Sequence, residues 1–418
     1  MSNSINWINK ERHLEILVVS FFFINLLFIG LAIYGDYGIS WDEPLGLENG
    51  LESYNYIFQG NNSLLTYDYN NLGVAFELPL VIVQKTLNLN DSRDIFLMRH
   101  LLTFLFCFIG VFFFYLLCKK YFKSWKIGLL GSLFLVLSPR IFANFFYNSK
   151  DAVFLSAFII SIYTLIMFLE KKTYLSAGFH AIVCAFLIDV RIIGLIVPFI
   201  TFLMFIPAII QKKRILKKDI FLLGFYGITT FLLIILLWPF LWSNPLNFFE
   251  AVTRLHTGDS LPFYFGHYLQ VNEIPWSYLF VWIGITIQPL YLLLFFIGLY
   301  ELIKEIFKKN ISLNEDKKKY KILILLWLII PFLAFFITKS VPYDSWRHLF
   351  FIYPALLIIT LYGALNSYYL IKKIPNKIIK KSIAIIFILA IIITSLLTLR
   401  FMIMNHPHQD VYFNIFAG

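Results

Sequence analysis

Leu14-Glu-Ile-Leu-Val-Val-Ser-Phe-Phe-Phe-Ile-Asn-Leu-Leu-Phe-Ile-Gly-Leu-Ala-Ile-Tyr34 is an almost unbroken apolar run, and a short loop beyond it stands Gly38-Ile-Ser-Trp-Asp-Glu-Pro44. Crossing a bilayer core takes roughly 20 apolar residues as a helix, so the first stretch reads as a membrane span. The start Lys10-Glu-Arg-His13 resembles a signal peptide, but the run behind it is longer than a typical signal-peptide core, and an uncleaved anchor is expected. Two adjacent carboxylates, Asp42 and Glu43, just past a first span need a reason to be there.

Similar runs recur along all 418 residues, which are 60% hydrophobic and only 14% charged, with mean hydropathy +0.77. An ordinary soluble domain is about 25% charged. The composition predicts an all-α polytopic membrane protein, because helices satisfy their own backbone hydrogen bonds in lipid. Eleven spans are expected, from Leu14–Tyr34 to Ser382–Met404, among them Ile127–Phe146, Tyr278–Leu302 and a short one at Tyr174–Leu187. They are expected to form a single unit over residues 1–418, with two large outer loops, 35–94 and 243–276, as its roof.

The net charge of +11 raises nucleic acid or acidic lipid as partners. Its distribution removes the first. With the N-terminus inside, about 25 of the 35 Lys and Arg fall in inner loops, while most acids fall outside, which is the positive-inside rule. The basic balance therefore reports orientation and attraction to anionic lipid. Cys107, Cys118 and Cys184 lie in or beside apolar runs and read as small hydrophobes. No internal repeat is visible.

In the first outer loop Leu47, Leu51, Tyr54 and Phe58 recur at helical spacing opposite Glu48, Glu52 and Asn55, the pattern of an interfacial amphipathic helix. The second repeats it from Asn244-Pro245 through Leu246, Phe249, Val252 and Leu255 to a stop at Gly258. Such lids suit an enzyme whose substrate carries a lipid tail.

The outer ends of the spans carry Asp42, Glu43, Glu77, Lys85, Arg93, Arg99, Asp151, Asp189, Arg191, Arg254, His256, Arg347 and His348. Ionisable groups near membrane depth are functional candidates by default. Arg binds phosphate in a bidentate way, and a carboxylate can serve as general base toward a hydroxyl or amine. Each has a plainer reading too. Asp42 suits a helix N-cap, Asp151 a helix start, Arg99 snorkelling to the interface, Asp189 and Arg191 a mutual pair, and Arg347-His348 an interfacial anchor. There is no phosphate-binding glycine loop, metal-ligand spacing or nucleophile elbow, and His406-Pro-His408 reads as surface.

Several stretches together carry a resemblance: Asp42-Glu43 with Arg99; Ser138-Pro-Arg-Ile-Phe-Ala with Lys150-Asp151; Tyr264-Phe-Gly with Pro275-Trp-Ser-Tyr278; Arg347-His-Leu-Phe-Phe-Ile-Tyr-Pro354; and His406-Pro-His-Gln-Asp-Val-Tyr-Phe-Asn414. In this order the chain resembles the GT-C glycosyltransferases, among them bacterial relatives of the dolichyl-phosphate-mannose protein mannosyltransferases and the lipid A aminoarabinose transferase. The resemblance implies an inverting transferase in a bacterial inner membrane, its active site facing outward and its donor a polyprenyl-phosphate-linked sugar. Asp42, with Glu43 beside it, maps onto the base or acceptor-positioning acid, Asp151 onto a second acid, and Arg99 and Arg347 onto the donor phosphate. Arg191 joins the phosphate set, and His348, His256 and Lys85 the substrate pocket. Some relatives hold a divalent metal between the two acids, here Asp42 and Asp151, and others need none. Where relatives often carry Pro-Pro-Leu, this chain has Phe76-Glu-Leu-Pro-Leu80. A transporter or flippase of lipid-linked sugars, or a polymerase of them, is the alternative; one-sided charges and the lack of repeats favour the enzyme.

Overall fold

The computed structural model describes residues 2–211, 217–253, 262–270, 273–308, 315–338 and 345–417. Its helices are α1 (Ser2–Ile33), α2 (Glu43–Gln59), α3 (Glu77–Thr86), α4 (Ser92–Phe122), α5 (Trp125–Val136), α6 (Pro139–Tyr147), α7 (Asp151–Lys171), α8 (Tyr174–Val190) and α9 (Ile196–Gln211). They continue as α10 (Lys217–Leu237), α11 (Phe240–Ser243), α12 (Asn247–Thr253), α13 (Tyr278–Thr286), α14 (Pro289–Phe307), α15 (Glu315–Ile337), α16 (Tyr353–Lys372) and α17 (Lys377–Met404). The protein is an all-α membrane protein. Among the described residues the strands form one antiparallel hairpin, β1 (Phe263–Tyr264) with β2 (His267–Tyr268), which the sequence reading did not anticipate.

Among the described residues seven helices are long and apolar enough to cross a membrane, including most of α1, all of α4, α7, α10 and α17, and α16 with the turn before it. Two shorter apolar helices run Tyr174–Val190 and Ile192–Ile206. Two of the expected spans are not straight. Ile127–Phe146 breaks into α5 and α6 at 73°, and Tyr278–Leu302 into α13 and α14 at 120°. Pro139 and Pro289 open the second helix of each pair. Proline removes an amide donor and clashes with the preceding turn, so it begins helices and breaks continuous ones.

The core gathers on α4, α7, α8 and α16. Almost the whole inner length of α7 is buried, and so are Tyr353 through Leu361 of α16. Around them α1 and α17 expose Phe21, Ile24, Phe28, Ile386 and Leu397, as lipid-facing helices should. Among the described residues α14 and α16 approach closely, backbone to backbone. A Cβ on Gly363 would lie 1.9 Å from the Leu294 carbonyl oxygen, and one on Gly298 2.0 Å from that of Ile359. Small residues let backbones approach in this way in membranes.

The helix expected in the first outer loop exists as α2, but its packed face differs from the expected stripe. Asn49, Gly50 and Ser53 are buried, whereas Phe58 is exposed. A Cβ on Gly46 would meet Glu77 at 2.8 Å and one on Gly50 would meet Val81 at 2.8 Å, so α2 lies on α3 through its small residues. In the second loop α12 is the expected helix. Its proposed end, with Arg254, Leu255, His256 and Gly258, lies outside the described residues.

Gly363→Ala is expected to overpack the α14–α16 contact and destabilise the protein by about 1–3 kcal/mol. A melting temperature in detergent equal to wild type would rule this out.

Candidate active site

Four separate segments meet at one end of the bundle. Asp42 precedes α2, Asp151 opens α7, Arg191 lies at the end of α8, and Arg347 begins the 3-10 turn Arg347–Ile352 that leads into α16. The Arg347 guanidinium stands between the two acids, with Nη1 2.8 Å from Asp42 Oδ2 and Nε 3.2 Å from Asp151 Oδ2. Arg191 Nη2 contacts the other oxygen of Asp151. The result is a chain of alternating charge, Asp42, Arg347, Asp151, Arg191.

Asp151 is nearly inaccessible and locally tied. Asn148 Oδ1 accepts from the Asp151 amide at 2.6 Å, and Asn148 Nδ2 donates to Asp151 Oδ2 at 3.2 Å. Asn148 therefore holds both the first turn of α7 and its carboxylate. Asp42 occupies the N-cap position, but its side chain accepts no hydrogen bond from the helix. The capping role expected for it is absent, and its carboxylate goes to Arg347.

These groups face a cleft of about 210 Å3 lined by Asp42, Glu77, Lys150, Arg191, Arg347 and His348, with Leu72, Gly73 and Phe76 on another wall. The loop 72–76 is pinned by Asp189, whose Oδ1 accepts from the Ala75 amide at 2.5 Å. A Cβ on Gly73 would lie 2.0 Å from the Asp189 carbonyl oxygen. Asp189 and Arg191 thus do not pair with each other; the first shapes a wall and the second faces the ligand space. None of the described lining residues comes from the loop 243–276; among them the roof is supplied by Leu45, Gly46 and Asn49 of α2.

Glu43 parts company with Asp42. Consecutive helical residues point about 100° apart, and Glu43 turns inward, 2% exposed. Its Oε2 accepts from the Ser40 amide at 2.7 Å and its Oε1 lies 3.0 Å from His100 Nε2. Arg99 is likewise away from the cleft surface, buried against Glu77, whose other oxygen accepts from Ser149 Oγ at 2.6 Å. Lys85 is on the exposed end of α3, 6.0 Å over the Tyr54 ring. Of the residues singled out in the sequence, the cleft collects Asp42, Glu77, Arg191, Arg347 and His348, with Asp151 directly behind Arg347. It leaves out Glu43, Arg99 and Lys85. His256 lies outside the described residues.

Lys150 is the cation that the sequence reading passed over as a binding group. It lines the cleft, and among the described residues no carboxylate pairs with its ammonium. Burial lowers its pKa to about 8, with Arg191 nearby adding to the effect. Lys150, Arg191 and Arg347, with Arg99 paired to Glu77, outnumber Asp42, Glu77 and Asp151 by one, so the cleft as a whole favours an anion. The signal was present in Asn148-Ser-Lys-Asp151: a capping asparagine fixes the helix start and thereby aims the lysine.

A divalent metal between Asp42 and Asp151 does not fit this arrangement, because the Arg347 guanidinium already bridges them. Among the described residues no group of three His, Cys, Asp or Glu side chains is placed to hold an ion. No protein-family model matches the chain, and no curated protein matches it significantly.

Two outcomes are expected. Lys150 is protonated below about pH 8, so affinity for inorganic phosphate should fall as pH rises through that value. Lys150→Arg, charged across the range, should flatten the profile; a flat wild-type profile by calorimetry would count against Lys150 as an anion ligand. Replacing Glu77 by Ala strands the buried Arg99 charge and should cost about 3–5 kcal/mol of stability, read as a lowered melting temperature.

Proposed function

We propose that the chain is an inverting glycosyltransferase that moves a sugar from a polyprenyl phosphate to a nucleophile on an extracytoplasmic acceptor. The observation that carries the reading is the convergence of Lys150, Arg191 and Arg347 with Asp42 in one cleft at the end of apolar helices. It is supported by the resemblance to GT-C enzymes. The positive-inside count supports a cytoplasmic N-terminus and a cleft facing outward; placement in a bacterial inner membrane rests on the resemblance. Seven described helices are long and apolar enough to cross; a count of eleven crossings follows only if the two bent pairs and the two short helices each cross once, and it belongs to this proposal.

In this reading the donor tail lies along the lipid-facing helices, and its phosphate meets Lys150, Arg191 and Arg347. Arg–phosphate bonds are charge-assisted and bidentate. Drawing Arg347 toward the phosphate loosens its hold on Asp42, whose freed carboxylate then accepts the acceptor proton. The acceptor oxygen or nitrogen attacks the anomeric carbon. The bond from that carbon to the phosphate oxygen breaks, and its electron pair leaves with the polyprenyl phosphate, so configuration inverts. The cationic set stabilises the charge that develops on the leaving oxygen. Asp151 positions Arg347 and Arg191 and does not touch substrate.

Asp42→Asn should lower transfer from a short-chain polyprenyl-phosphate sugar by about 10²–10⁴-fold while leaving the protein expressed and folded. The assay uses purified protein in detergent, where no membrane separates two compartments. Turnover near wild type in that variant sinks the assignment of Asp42, and no transfer by the wild type with any such donor sinks the enzyme reading.

A further inference from the structure

A second cleft, of about 380 Å3, lies on the other side of Arg347, which lines both. Trp41 and Asp42 are consecutive, yet Trp41 faces this second cleft while Asp42 lines the first and pairs there with the shared arginine. The far wall is the C-terminal segment, including His408 and Asp410.

That segment is held by many polar contacts. His406 Nε2 lies 2.8 Å from Asp36 Oδ2, and Tyr37 donates its hydroxyl to Gln409 Oε1 at 3.1 Å. Asn414 Nδ2 donates to the Gly284 carbonyl at 2.7 Å, at the break between α13 and α14. Arg140 Nε donates to the Tyr412 carbonyl at 2.9 Å, and its guanidinium lies 4.6 Å over the Phe413 ring. The tail is therefore a built wall, while His408, read as surface in the sequence, is exposed.

Most polar groups around this cleft are already engaged. Arg140 is turned to a carbonyl and ring faces, and Arg347 to Asp42 and Asp151. What stays open is of another kind. Trp41 is 88% exposed, and among the described residues none forms a hydrogen bond or ion pair with the Asp410 carboxylate. An open indole offers a flat face to ring C–H bonds, and an open carboxylate accepts hydroxyl protons. An uncompensated carboxylate also disfavours an anionic ligand.

We propose that this second cleft binds a neutral carbohydrate, stacked on Trp41 and hydrogen-bonded to Asp410, and that this carbohydrate is the acceptor. Its role as acceptor rests on the glycosyltransferase reading; its binding does not. In this proposal a hydroxyl of a sugar seated here is directed at Arg347, the residue the two clefts share, and passes its proton to Asp42, which pairs with that guanidinium from the first cleft at 2.8 Å. Donor and acceptor then approach from opposite sides of Arg347. The chain Asn144 to Asn148 to Asp151 also links the walls, with Asn148 Nδ2 donating to Asn144 Oδ1 at 2.7 Å; Asn144 lines the second cleft.

The test uses the purified full chain without donor and the methyl glycosides of glucose, galactose, mannose and N-acetylglucosamine, followed by saturation-transfer NMR. At least one is expected to bind saturably at millimolar concentration. Trp41→Ala and Asp410→Asn should each weaken it by about tenfold or more, about 1.4 kcal/mol. Trp41 is so exposed that its loss leaves folding intact, which keeps the test open if Asp410→Asn misfolds. Absence of glycoside binding, wild-type affinity in both variants, or tighter binding of glucose 6-phosphate than of any methyl glycoside overturns the proposal. Release of free sugar from the donor by water, measured on the same preparations, reports on the transferase reading independently.

Discussion

The Arg347 guanidinium between Asp42 and Asp151 is the contact on which the site depends. A cation between two carboxylates offsets their mutual repulsion. It also ties together three segments distant in sequence: the turn before α2, the start of α7 and the turn into α16. The same arginine forms the partition between the two clefts. A ligand that changes the partners of Arg347 on one side therefore changes the electrostatics of the other.

Behind this bridge stand buried pairs that carry no direct chemistry. Glu77 with Arg99 and Ser149 joins α3, α4 and the segment before α7, while Glu43 with His100 and the Ser40 amide secures the turn containing Asp42. Such pairs are poor contributors to net stability compared with apolar packing. Their use here is geometric. They fix the backbone at both acids, so that Asp42 and Asp151 are presented at set distances although each lies at the end of a helix.

Much of the cleft was legible from residue type and position. Asp42, Arg191, Arg347 and His348 stand out as charged or polar groups at span ends, and all four line it. The errors share one physical cause. Glu43 is adjacent to Asp42 and Arg99 begins a span, yet helical rotation turns both inward. Lys85 and Lys150 are equally plausible cations by sequence, and only packing puts the first at an exposed helix end and the second in the cleft wall. The apolar stripe of α2 was misread for a related reason: membrane helices approach through small residues, so Gly46 and Gly50 mark the contact better than Leu47 and Leu51.

The sequence by itself determined the class of the protein, an all-α membrane chain, because apolar length and charge distribution are properties of the chain alone and lipid leaves helices few alternatives. The prolines at which two expected spans break stand in the sequence too, but the breaks themselves were found in the structure. Tertiary structure decided which face each helix end presents, which charges find partners and which remain open to a ligand. Those are matters of rotation and distance between segments hundreds of residues apart, as with Tyr37 and Gln409 or Asp42 and Arg347, and no local pattern encodes them.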